Sequence, residues 1–199
     1  DPDANSVGVW RKGYQCGATD RWRPMKLVAR LKAPFHGEED ETAAHIERLS
    51  RYYGTCICGL EVNKGFHVMR CLQIAGIPLY RRTPLNNRTG KVEAQVGFKM
   101  TSKDEREALV SSLASAIVTG EIDVLCPFMI GQMKKFVRKP NGKSEAAVGF
   151  HDDDVIQASI AWEVVPTSAT LYKERKVTNT EPRDRGRNGW RQVNATRLG

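Results

Sequence analysis

Four consecutive positions, His151-Asp152-Asp153-Asp154, set an imidazole and three carboxylates directly before an apolar helical pattern of Val155, Ala158, Ser159 and Trp162. Adjacent like charges repel, and folding alone does not call for three of them. A helix N-terminus tolerates acids, because its free N–H groups and dipole favour negative charge, so one reading makes Asp152 or Asp153 an N-cap. The other reading places a cation among them. Hard divalent ions such as Mg²⁺ or Mn²⁺ take carboxylate oxygens, only one or two from any single element. That reading demands a further carboxylate from a distant part of the chain.

Residue periodicity points to one. Residues 6–12 and 25–31 alternate and predict two strands that pair, joined by a turn-rich connection. Residues 38–53 predict a helix with acids in its first turn, an apolar face of Ala43, Ile46, Leu49 and Tyr53, and a C-terminal Gly54. The run Thr55-Cys-Ile-Cys-Gly-Leu-Glu-Val-Asn63 is almost continuously apolar, the mark of a buried central strand. It ends in Glu61, and an acid on such a strand is costly to leave unpaired. A helix carrying Phe66, Met69 and Leu72 and a short strand at Leu79 and Tyr80 follow. This alternation predicts an α/β layered fold, in which functional groups gather at the C-terminal ends of strands. Further on, residues 81–99 read as an exposed loop or hairpin, and Ser102 to Glu105 as a capping box opening a helix that ends at Gly120. A short strand at 122–125, a helix from Pro127 through Phe136 and a hairpin turning at 139–143 lead to the acid cluster. The expected organisation is one domain over 1–165 and a basic, flexible tail over 166–199.

Composition narrows the class. With 40% hydrophobic and 27% charged residues the chain is ordinary for a globular domain, and no apolar run approaches the roughly 20 residues of a membrane span. The first residues lack the basic and apolar regions of a signal peptide, and the missing initial Met suggests a fragment of a longer chain. Five cysteines at scattered positions make no disulfide framework, and the C-x₂-C spacing of a zinc site is absent; they read as reduced packing residues. The net charge is +8, of which +5 lies after Pro166. A basic chain with an acidic centre suggests a polyanionic partner laid over a metal site. Glu61 with Asp152 and Asp153 would hold two divalent ions about 3.5–4 Å apart, one activating water and the other stabilising the leaving oxygen of a phosphodiester.

These residues carry a resemblance. Leu60-Glu61-Val62-Asn63 before Gly65 and a helix, Gly97-Phe98-Lys99-Met100-Thr101 with a helix downstream, and Gly149-Phe150-His151-Asp152-Asp153 before a small-residue helix resemble, in order and spacing over about residues 1–165, the nuclease domain of the large terminase subunit. That subunit is the DNA-packaging motor of tailed bacteriophages. The resemblance implies an RNase H-like mixed central sheet with helices on both faces. It also implies a Mg²⁺- or Mn²⁺-dependent endonuclease that cuts concatemeric viral double-stranded DNA in the host cytoplasm. Glu61 matches the family's second acid, and Asp152 and Asp153 its last. Asp1 and Asp3 match a turn ahead of the family's second strand, with the first acid then lying upstream; both are candidate ligands, as is His151 beside the acid pair. Asp154 is an extra acid where the family more often carries an apolar residue. The implied partners are a packaging ATPase domain in the full-length chain, the portal and the small terminase subunit, with no membrane. The chain itself lacks the G-x-x-x-x-G-K-[ST] pattern of such an ATPase. Arg81, Arg82, Lys91 and Lys99 are candidate phosphate contacts. Two other readings stand beside this one: a resolvase- or transposase-like nuclease of the same fold class, and a non-catalytic module that docks on DNA or on a portal.

Overall fold

The computed structural model describes residues 5–17, 21–33, 39–54, 56–63, 65–83, 85–86, 91–92, 94–100, 103–139 and 143–165. Asp1, Asp3, the Ser102 cap and the tail 166–199 lie outside them. The described chain is mixed α/β, with five helices and a sheet containing both parallel and antiparallel pairs.

Strand β1 (Asn5–Arg11) pairs antiparallel with β4 (Met25–Ala33), and β4 pairs parallel with β9 (Ile122–Asp123). The connection between β1 and β4 is itself a small hairpin, β2 (Tyr14–Cys16) with β3 (Arg21–Arg23). The alternation expected of the second strand breaks once. A bulge opposite Val9 and Trp10 leaves Val28 without a partner. A bulge adds one residue and reverses which face the following side chains take. Met25 and Leu27 therefore enter the core while Val28 is 42% exposed.

Among the described residues, the expected central strand of 55–63 is paired along one edge only. Cys58 exchanges bonds with Pro78 and Tyr80, and Leu60 and Val62 bond Phe98, all through even-numbered residues. In an extended chain the odd residues offer their backbone to the opposite edge, where no described strand pairs with Ile57 or Gly59. Gly97 makes the Phe98 contact possible. Its φ is +65°, and a Cβ there would meet the Leu60 carbonyl oxygen at 2.5 Å.

Helices cover both faces of this layer. Helix α1 (Glu39–Tyr52) and helix α2 (Phe66–Ile74) pack Ala43, Ile46, Val68 and Leu72 against Val7, Cys58 and Leu60. On the other face lie α3 (Lys103–Val118), α4 (Pro127–Lys134) and α5 (Asp153–Val164). Here Ile156, Ile160 and Val164 of α5 join Phe98, Leu109 and Ile57, and Gly59 leaves room for Ile160 and Val164 to approach the backbone. The helix expected through Phe136 stops at Lys134, and Phe136 opens a hairpin of β10 (Phe136–Arg138) and β11 (Ser144–Ala146). The stretch after Tyr80 is the expected hairpin, pairing β5 (Arg81–Arg82) with β8 (Gln95–Val96) and β6 (Leu85–Asn86) with β7 (Lys91–Val92).

Candidate functional site

Side chains in a strand alternate faces, so the contacts above orient the candidates. Ile57 and Gly59 meet α5 while Cys58 and Leu60 meet α1 and α2, which puts odd-numbered Glu61 on the α5 face. In β1, Ser6 and Gly8 also face α5. The Ser6 hydroxyl donates to Asp154 at 2.5 Å. Gln157, with its amide oxygen toward β1, accepts from the Gly8 N–H at 2.6 Å and from Trp10 Nε1 at 3.0 Å. Lys32 and Arg30 are register partners of Ser6 and Gly8 and share that face.

A run of contacts then brings Glu61 and Asp152 to the same end of the layer, around the start of α3. Asn63 donates to Glu61 at 3.0 Å and accepts from the Met100 N–H at 2.9 Å. Three residues on, α3 begins, and its first-turn Arg106 donates to Asp152 Oδ2 at 2.5 Å.

The three consecutive acids do three different things. Asp152 occupies the N-cap position of α5, yet its carboxylate makes no capping bond. It takes Arg106 and the Ala146 N–H on Oδ2, tying α5 to α3 and β11. The simple cap reading therefore fails. The Asp154 N–H is instead satisfied by Gln132 of α4 at 2.9 Å. Asp153 stands in the first helical turn, 34% exposed, with Lys32 at 3.1 Å from Oδ2. Asp154 is wholly buried and receives three bonds from Arg30, at 2.8 to 3.2 Å, besides the one from Ser6. A buried ion pair is tolerable only with this degree of satisfaction, and it makes Asp154 a structural acid.

The expected gathering of Glu61, Asp152 and Asp153 around shared ions is not assembled as a tight cluster. Among the described residues, three ligand-type atoms come within 4.8 Å of one another only at Asp40, His67 and Cys71. Each of the expected acids turns instead to its own partner, Asn63, Arg106 or Lys32. The donor chemistry still fits a hard cation. The three carboxylates are half-buried, Asp152 and Asp153 are met by positive charge from Arg106 and Lys32, and no described residue bonds Oδ1 of either aspartate.

His151 precedes the acids and is half-buried. Arg82 is committed to Glu105 and lies 4.9 Å over the Phe98 ring, so it is a packing residue and not a free phosphate contact. Arg81 and Lys99 are exposed. Lys91 lies in β7, and its side chain, like all of Asp1 and Asp3, is outside the described set. Sequence reasoning missed Ser6, Arg30, Lys32 and Arg106. For Ser6, Arg30 and Lys32 the signal lay only in the β1–β4 register, which turns them toward the acids of α5, and Arg106 comes from the first turn of α3.

Compared with known proteins, the chain matches no family model and no curated protein. No described helix is long and apolar enough to cross a membrane.

Proposed function

We propose that this chain is a metal-dependent DNA endonuclease domain of the kind carried by large terminase subunits, with an RNase H-like layer, cutting concatemeric viral DNA by hydrolysis of phosphodiesters. What supports this reading is that the Asn63–Met100 contact beside Glu61 and the Arg106–Asp152 contact flank the start of α3, with Glu61 on the strand face that meets α5. Two elements far apart in sequence deliver carboxylates there, as a site for hard divalent cations requires. Glu61, Asp152 and Asp153 are the residues that would hold Mg²⁺ or Mn²⁺. Such an ion supplies a low-pKa water and charge stabilisation for a phosphodiester.

The remaining groups have positioning work. Arg106 fixes the Asp152 carboxylate through Oδ2, and no described residue bonds its Oδ1. Lys32 neutralises Asp153 while that acid waits, and it is partly exposed, so it can swing to a phosphate once a cation takes the carboxylate. Asp154 and Gln132 hold the mouth of the helix rigid, which a reacting geometry needs.

The test is nicking of supercoiled plasmid with added Mn²⁺. Glu61→Ala and Asp153→Asn should each lower the rate at least about 100-fold, with the melting temperature nearly unchanged because both acids are partly exposed. Undiminished nicking in both variants would remove the proposal. Preference for branched over linear DNA would favour the resolvase-like reading, and a mobility shift without cleavage in the parent chain would favour a docking module.

A further inference from the structure

Three ligating atoms of different chemistry meet on the opposite face of the molecule, where α1 and α2 come together. His67 and Cys71 are four residues apart on α2, so they lie one above the other on the same helical face. Asp40, in the first turn of α1, reaches across to both. Asp40 Oδ1 lies 2.6 Å from His67 Nε2 and 3.4 Å from Cys71 Sγ, and Cys71 Sγ lies 3.5 Å from the same His67 nitrogen.

We propose that Asp40, His67 and Cys71 form a site for a borderline transition-metal dication of the zinc class, separate from the acids at the mouth of α5. A tetrahedral zinc ion with bonds of about 2.0–2.3 Å sets its ligand atoms roughly 3.3–3.7 Å apart. The two sulfur distances already fall in that range, and the His67–Asp40 hydrogen bond need open by well under 1 Å to match. A thiol and an imidazole select zinc or its neighbours over Mg²⁺, which prefers oxygen alone. Asp40 and His67 are exposed, so water can supply the fourth ligand.

A nucleophilic cysteine is the competing use of the same three residue types, and the geometry disfavours it. In a relay the histidine spends one nitrogen on the thiol and the other on the acid. Here one nitrogen faces both, so all three donors aim at a common point. A bound cation would tie the start of α1 to α2.

The test titrates the reduced, metal-free 199-residue chain with Co²⁺ and follows absorption. The expected result is one equivalent bound, with a thiolate-to-cobalt charge-transfer band and tetrahedral d–d bands that Zn²⁺ abolishes by displacement. Cys71→Ser should lose the charge-transfer band. His67→Gln and Asp40→Asn should each weaken Zn²⁺ binding more than about tenfold, with circular dichroism unchanged. Cys56→Ser and Cys126→Ser should leave the band intact. Absence of the band in the parent chain, or its survival in Cys71→Ser, overturns the site. Neither outcome bears on plasmid nicking, whose acids lie elsewhere.

Discussion

Asp154 has the strongest claim of the three neighbouring acids to a role in stability. It is fully buried, and four donated bonds from Arg30 and Ser6 offset the cost of taking its charge out of water. Asp154→Ala would leave the Arg30 guanidinium, 19% exposed, without its counter-ion. The expected loss is about 3–5 kcal/mol, read as a lower denaturant midpoint at unchanged slope. Asp153→Asn, by contrast, removes a partly solvated pair with Lys32, worth at most about 1 kcal/mol. Two adjacent aspartates should thus separate cleanly, one in unfolding experiments and the other in cleavage. By charge alone the two are interchangeable; the one sign in the sequence was that Asp154 stands where the resembled pattern more often carries an apolar residue. Only helical phase and the β1–β4 register decide it.

At the scale of elements, the helices and the first hairpin were legible because they rest on local patterns: the acid-loaded first turn of α1, the glycine after α3, and the alternation in β1. What eluded the pattern has a physical cause in each case. The Val28 bulge is invisible because Val, Ala and Leu suit either face of a strand. The run 56–62 looks like a fully paired strand because apolar residues are needed wherever helices cover both faces, whatever happens at the edges. The cluster of Asp40, His67 and Cys71 was half legible, since the four-residue spacing on α2 is plain but its partner comes from another helix. The β10–β11 hairpin yields a pH prediction. Lys139 and then Lys143 beside Glu145 pull its carboxyl down to about 2 from an ordinary value of 4.5. A depressed acid contributes stability above its unfolded value and loses it as pH falls through the folded one. Amide protection in this hairpin, taken relative to the intrinsic exchange rate at each pH, should therefore fall between about pH 4.5 and 2, and Glu145→Gln should remove most of that dependence.

For the whole molecule, the charge distribution matters more than the total. Of the net +8, +5 follows Pro166, so residues 1–166 are only mildly basic. If DNA is the partner, most of the sequence-independent attraction should come from that segment. Replacing Arg183, Arg185, Arg187 and Arg191 by Gln in the full chain should weaken duplex binding and flatten the dependence of log affinity on log salt by up to about 4. Single-turnover cleavage at saturating protein should change little.

Arg30 shows how far a mechanical linkage can reach. It stands on β4, holds the first turn of α5 through Asp154, and lies 5.0 Å over the Phe128 ring of α4. A mutational screen that scores only activity would rank Arg30 among the reacting groups. Its guanidinium nevertheless spends all its described contacts inside the scaffold. Much of what such a screen called chemistry in this chain would be carpentry, and unfolding data are needed to tell one from the other.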